Sequence, residues 1–169
     1  MNDMQTTGTH FSTVVAPFEL EVLYSQIAVF HAGLESPFND WTQMHVDQGF
    51  SWRPESVSFR TLNESGKARI YVMKPNHWAL RSDSVRAIQV PFTVPESNLV
   101  EIASIIESKI VEIASGSYEL LFETGLEEIG RMWCQFSFVR NKNPTARILK
   151  ADEQLKVPEH LLLGAEFAS

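Results

Sequence analysis

The chain reads as mainly β: one single-domain antiparallel β-sandwich of about eight or nine strands with a single short helix. Three observations point there. Most apolar residues recur with a period of two, as on a pleated strand, rather than at helical spacing. The alternating runs are short and separated by turn-forming clusters such as NESG, PESN, ASGS and NKNP. The run FELEVLYSQIAVF, Phe18 to Phe30, begins with Phe18, Leu20, Val22 and Tyr24 on one side and Glu19 and Glu21 on the other. From Leu23 onward, Leu23, Ile27 and Val29 make the second side apolar as well. A strand that is wet on one face at its start and buried on both faces later belongs inside a packed sheet, so this run is read as the first core strand.

In chain order, residues 1–16 are rich in Thr and Ser and lack periodicity, which predicts a flexible N-terminal arm. The sandwich domain is expected over 17–151. After the first strand and the loop LESPFN, the segment Trp41 to Gln48 is expected to form the helix, with Asp40 as its cap and Gly49 as its stop. Phe50 to Trp52 is apolar but is halted by Arg53 and Pro54. SVSFRTL and KARIYVMK, joined by NESG, predict a β-hairpin. A loop containing Trp78 follows, and then a strand with Ile88, Val90, Phe92 and Val94 on one side. Pro91, which cannot donate to a ladder, marks an edge or bulge in that strand.

LVEIASIIESKIVEI also fits a helical stripe, yet its density of Ile and Val favours two strands. ASGS then leads into YELLFET as a further hairpin. RMWCQFSFV sets Met132, Cys134, Phe136 and Phe138 on one face, and TARILKAD reads as the last strand. Residues 152–169 form a C-terminal extension that either straps the sandwich or hangs free.

Length and composition narrow the function. With 169 residues, 44% hydrophobic and 21% charged, the chain can bury one sizeable core. A single cysteine excludes an internal disulfide and fits a reducing compartment. No basic run with an apolar core opens the sequence, and no stretch approaches the ~20 apolar residues of a membrane span. A cytoplasmic protein with no membrane insertion is therefore expected. A formal charge of −7 argues against direct nucleic-acid binding and favours a basic protein partner.

Chemistry-bearing patterns are absent. His10, His31, His45, His77 and His160 are scattered without ligand spacing, so no metal site and no cofactor is expected. Cys134 sits on an apolar face and reads as a small buried hydrophobe. No phosphate loop or nucleophile elbow occurs, so the chain is read as a non-enzyme. What remains is surface: carboxylates recur in the expected loops, together with tryptophans, the residue type most enriched at binding hot spots. Asp40, Trp41, Asp47, Trp52, Glu127 and Glu128 are the candidate partner-binding residues.

At this point a family likeness enters. LEVLYSQIAVF followed by DWT, the block VSFRTLNESGKARIYV, the run VPFTV and the pair KIVEIASGSYELLFET resemble, in the same order, the competence protein J family of inhibitors of the DNA-entry nuclease. The resemblance spans about Leu20 to Val139. It implies an intracellular, non-catalytic protein that binds a non-specific nuclease, from a competence system or a toxin, and blocks its active site. It names no inhibitory residues. A carboxylate-bearing loop could occupy a basic groove in place of the DNA backbone. Two competitors remain: a carbohydrate-type ligand-binding module with an exposed loop tryptophan, and a hydrolase in which His45 or His77 meets a carboxylate.

Overall fold

The computed structural model describes residues 14–127 and 130–169, so most of the expected N-terminal arm and Glu128 lie outside the described residues. The elements are β1 (Phe18–Val22), β2 (Gln26–His31), α1 (Gln43–Gln48), β3 (Phe50–Arg53), β4 (Ser56–Arg60) and β5 (Gly66–Met73), followed by β6 (Arg86–Val94), β7 (Leu99–Ala103), β8 (Ser108–Glu112), β9 (Gly116–Leu126), β10 (Met132–Arg140) and β11 (Arg147–Lys150). One sheet has the order β1-β5-β10-β9-β6-β11 and the other β3-β4-β2-β7-β8. Their inner faces share one core, to which Ile27, Val29, Phe59 and Val100 contribute from one sheet and Ile70, Val90, Phe122 and Phe136 from the other. Phe59 of β4 stacks on Phe122 of β9 with centroids 4.6 Å apart, and that contact locks sheet to sheet. An aromatic pair of this kind is worth about 1 kcal/mol beyond the area it buries. Cys134 lies in the same core as a free thiol, and burial pushes it up to about 12.

The mainly β sandwich with one short helix is thus present, with eleven strands among the described residues and one parallel pair, β5 with β10, amid antiparallel neighbours. The extra strands have identifiable origins. Phe18 to Phe30 is two strands, not one: Tyr24 and Ser25 both adopt left-handed backbone (φ 56° and 57°), and the reversal carries the chain from the six-stranded sheet into the other. Neither residue is a Gly, Asn or Asp, so nothing in the sequence announces the turn. That sheet change also explains why the apolar pattern shifts sides at Leu23. Phe50 to Arg53 is a strand as well, paired with β4 across Pro54 and Glu55.

Two expected hairpins are corrected. β4 and β5 do not pair, nor do β8 and β9, because each pair divides between the sheets. A link of a few residues can reach either a neighbouring strand, about 5 Å away, or the opposite sheet, about 10 Å away. An alternating run has one buried face in either case. The two strands read from LVEIASIIESKIVEI do form a hairpin, β7 with β8.

The helix is capped by Thr42, not Asp40. The Thr42 side chain accepts from the His45 backbone N–H, and the His45 ring accepts from the Thr42 backbone N–H, closing a capping box with histidine in the position usually held by Glu or Gln. Gly49 ends the helix at φ 88°, and the Leu155 side chain would lie 2.9 Å from any Cβ placed there, so glycine is required by both backbone and packing.

Beyond β11 the chain runs back over one end of the sandwich. The Arg86 guanidinium, wholly buried, donates two bonds of 2.7 and 2.9 Å to the Asp152 carboxylate, one of 2.8 Å to the Gln154 side-chain oxygen and one of 2.6 Å to the Arg60 carbonyl. Leu155 enters the core. Burial works to raise the Asp152 carboxyl, but the hydrogen bonds and charge of Arg86 outweigh it and hold the group below its ordinary 3.8.

Removing one partner of a buried pair leaves an uncompensated charge, so Asp152→Ala is expected to cost about 3 kcal/mol, read from the urea midpoint. Because the folded value lies below the unfolded one, this contribution is complete above pH 3.8 and is lost as pH falls through the folded value. Asp152→Asn should therefore flatten the acid limb of the stability profile, and an unchanged limb would refute the assignment.

Candidate functional site

The loop leading into α1 is held from beneath by Asn39, which is buried. Its side-chain amide donates to the Ser51 and Ser56 carbonyls at 2.8 and 2.9 Å, and its oxygen accepts from Arg53 at 2.7 Å. Asp40, next in the chain, is fixed only through its backbone: its N–H donates to the Glu166 carbonyl (2.8 Å) and its carbonyl accepts from the Ser51 hydroxyl (2.7 Å). Its carboxylate is left in solvent.

Trp41 then lies just before the helix cap and shares a cleft with Val46 one turn on, the arrangement of a hydrophobic staple. Its indole N–H donates to the Gln26 side chain at 3.3 Å, and its ring meets His45 edge-on at 6.4 Å. The cleft, about 350 Å³, is completed by Tyr24, Ser25, Gln26 and Arg60. Arg60 donates to the Val46 and Gln154 carbonyls, so its charge is partly spent on the helix end and the C-terminal segment. Asp47 is on the helix with its carboxylate accepting from Gln43 at 2.8 Å, while its backbone carbonyl accepts from Lys156.

Asp40, Trp41 and Asp47 are therefore gathered about α1. The other candidates are elsewhere. Trp52 is half-buried against the core, and its indole N–H crosses from β3 to the Pro91 carbonyl at 2.7 Å, joining the two sheets. It offers no free aromatic platform for a sugar. Glu127 belongs to the far sheet, where it accepts from the Tyr71 hydroxyl at 3.1 Å. Burial, then the Glu127 hydrogen bond and charge, raise Tyr71 above its ordinary value. Beside it the Arg81 guanidinium lies 3.7 Å from the Trp133 ring and pairs with Asp83, whose carboxyl is lowered chiefly by that hydrogen bond.

Sequence reasoning passed over Tyr24. It is 73% exposed, beside the Trp41 cleft, on the turn where the chain changes sheets. A non-glycine left-handed residue stores about 1 kcal/mol of strain or more, and such strain is retained where it presents a functional group. The signal available was the switch of apolar sides at Leu23, which locates the break but not the exposed ring. With Met44, 44% exposed on α1, this end of the molecule combines Tyr, Trp and Met with two carboxylates. Tyr, Trp and Met are residue types enriched at protein interfaces, while carboxylates are not and act there through charge complementarity.

The histidine at this end is bound into the fold. His45 is committed to the helix cap on one ring nitrogen and to the Gly164 carbonyl at 3.0 Å on the other. Among the described residues no group of three or more His, Cys, Asp or Glu stands close enough to hold a metal ion, and no helix is long and apolar enough to cross a membrane.

Comparison with known proteins bears on what this surface is for. The family model described as Competence protein J (ComJ) matches residues 19–139. The DNA-entry nuclease inhibitor of Bacillus subtilis (strain 168) is 29% identical over 105 residues, covering 62% of this chain and 77% of the relative. The crystal structure of ComJ from Bacillus subtilis, described as the inhibitor of the DNA-degrading activity of NucA, superposes with a TM-score of 0.68 at 24% identity, covering 75% of this chain and 96% of the other. A structure described as crocagin biosynthetic gene J superposes at 0.52 with 14% identity, covering 74% of this chain and 97% of the other.

The strain argument is testable apart from any partner. Ser25→Gly is expected to raise stability by about 0.5–1 kcal/mol, since glycine takes the left-handed backbone without steric cost. Ser25→Val should lower stability by more than that. Equal urea midpoints for the two variants would show that the turn stores no strain.

Proposed function

The chain belongs to the competence protein J family, and from that premise we propose that it is a protein inhibitor of a DNA-degrading nuclease, itself without catalytic activity and acting in the cytoplasm. The observation that carries the reading is the collinear match over residues 19–139, which includes α1 and ten of the eleven strands except for the first residue of β1 and the last of β10. A solved member of the fold is described as inhibiting the nuclease NucA, and a sequence relative is named for inhibition of the DNA-entry nuclease.

The physical logic rests on charge. A nuclease that cleaves DNA without sequence preference must hold phosphates, and it does so with Lys and Arg around its active site. A chain carrying a formal −7 approaches such a groove faster than a neutral one and is rejected by acidic surfaces. In this reading Trp41 and Tyr24 anchor the contact, and Asp40 and Asp47 take the place of backbone phosphates. Asp40 suits the part, since its main chain is fixed and its carboxylate is free. Glu127, just past the end of β9, would form a second acidic contact, and Glu128, which follows it in the sequence, would add a further negative charge. The partner is a competence nuclease or, equally within this chemistry, a toxin nuclease against which the protein confers immunity.

The test is plasmid cleavage by NucA with rising amounts of the protein, at several salt concentrations. Cleavage is expected to stop at stoichiometric inhibitor. The double variant Asp40→Lys with Asp47→Lys is expected to bind about tenfold more weakly at low salt, mostly through a slower association rate, with the gap closing as salt rises. Undiminished cleavage at saturating protein, both by NucA and by any nuclease encoded beside this protein, would refute the reading, and a double variant as potent as the parent would remove the carboxylate mechanism.

A further inference from the structure

The β7–β8 hairpin forms the flank of the five-stranded sheet, and among the described residues β8 pairs with β7 alone. Its inward side chains, Val100, Ile102 and Val111, are buried and suffice for the core. Its outward positions would fold equally well with polar residues, yet Ile110 is 55% exposed and Leu99 37%. The connecting turn adds Ile105 at 36% and Ile106 at 58%. Four large aliphatic groups on one exposed hairpin, beside an unpaired strand edge, are what natural sheets ordinarily avoid.

The neighbouring edge is treated differently. β1 flanks the six-stranded sheet on the same side, and there the Glu21 backbone N–H is taken by the Glu107 carboxylate at 2.6 Å. Lys109 lies over the Phe18 ring at 5.1 Å. One edge is thus closed by side chains drawn from the β7–β8 hairpin itself, while β8 is left open.

This flank is continuous with the cleft at Trp41. β2 runs antiparallel to β7 with Ala28 opposite Ala103, so the start of β2, which holds Gln26, lies alongside the turn that holds Ile105. The Glu21–Glu107 bond ties that turn to the end of β1, just before Tyr24. Between the hairpin and the loop before α1 runs a groove of about 240 Å³, lined by Phe30, Leu34, Phe38, Glu101, Ile105 and Ile106 among others.

Charge selects the occupant. The outward positions of β7 and β8 and the turn between them carry Glu101, Glu107 and Glu112 and no Lys or Arg, since Lys109 alternates to the other side. Glu101 faces Ile110 across the ladder, and Glu112 faces Leu99, so carboxylates and aliphatic groups interleave. A second copy of this chain would set glutamates against glutamates. A basic protein would not.

We propose that this flank is a docking surface for an extended segment of a basic protein, which adds to β8 as a sixth strand, covers Ile106 and Ile110, and sets Lys or Arg against Glu101 and Glu112. The proposal rests on the inhibitor reading above and identifies the partner with the nuclease. Strand addition supplies main-chain hydrogen bonds, the isoleucines supply the desolvated centre, and the glutamates fix register and polarity of approach.

The experiment compares parent, Ile106→Asp with Ile110→Asp, and Glu101→Lys with Glu112→Lys against NucA by surface-captured binding kinetics and DNA cleavage. Circular dichroism and urea midpoints serve as controls for folding: Ile106, Ile110 and Glu112 are exposed and should leave both unchanged, whereas Glu101 is half-buried and accepts from the Gly33 N–H at 3.3 Å, so Glu112→Lys alone is measured beside the double variant. The isoleucine variant is expected to lose at least about 30-fold in affinity through faster dissociation. The glutamate variant is expected to lose about tenfold at low salt through slower association. Parent and variants that bind alike would overturn the docking surface and leave the inhibitor reading standing, whereas a parent that neither binds nor inhibits would overturn both. A parent dimer in sedimentation that the isoleucine variant abolishes would assign the flank to a second copy and overturn the proposal.

Discussion

A guanidinium buried between two sheets is tolerated only if its three nitrogens find acceptors, and in this molecule most of those acceptors come from the segment after β11. Arg86 extends from a central strand into the gap at one end of the sandwich, where the Arg60 carbonyl, the Asp152 carboxylate and the Gln154 side chain satisfy it. From Asp152 onward the chain runs back along α1. Leu155 drops against Gly49, the Leu162 backbone pairs with the Gln48 side chain, the Gly164 carbonyl meets the His45 ring, and Ala168 donates to Phe38. Every one of those contacts braces α1 or the loop before it. The position of Trp41 and Asp40 on the surface thus depends on a charge pair inside.

This gives the surface two kinds of support. The cleft at Trp41 rests on a helix of six residues, too short to hold itself, stiffened by its capping box and by the C-terminal segment. The isoleucine flank rests on a strand pair and needs no such help. The family match ends at residue 139, so the segment that stiffens the helix in this chain lies beyond the shared region.

The sequence made the class of fold legible because alternation reports one buried face wherever a strand is placed. It was silent about partners. β4 and β5 alternate well and are joined by a turn-forming cluster yet divide between the sheets, whereas β9 and β10, joined by the acidic run EEIG, pair; what separates the cases is a sheet-to-sheet distance that no local pattern encodes. The Tyr24–Ser25 turn was hidden for a different reason: its backbone is imposed by the bonds Ser25 makes to Glu64 and Thr61, not by residue preference. Asp40 looked like a cap because it precedes the helix, whereas Thr42 does the capping and frees the Asp40 carboxylate. For the surface, side-chain type pointed to the Asp40–Asp47 region, since carboxylates and Trp stand out. Ile106 and Ile110 did not stand out, because an exposed isoleucine and a core isoleucine are the same letter.

The bond between His45 and Gly164 joins residues 119 apart, and the Gln48 bonds to Leu162 join residues 114 apart. Contacts of such separation carry a large loop-closure entropy and cannot form until the later partner has been synthesised. The β7–β8 hairpin closes a link of only four residues between its strands, whereas the brace on α1 spans more than a hundred, so the flank and the aromatic cleft differ widely in the chain entropy that must be lost before each can form.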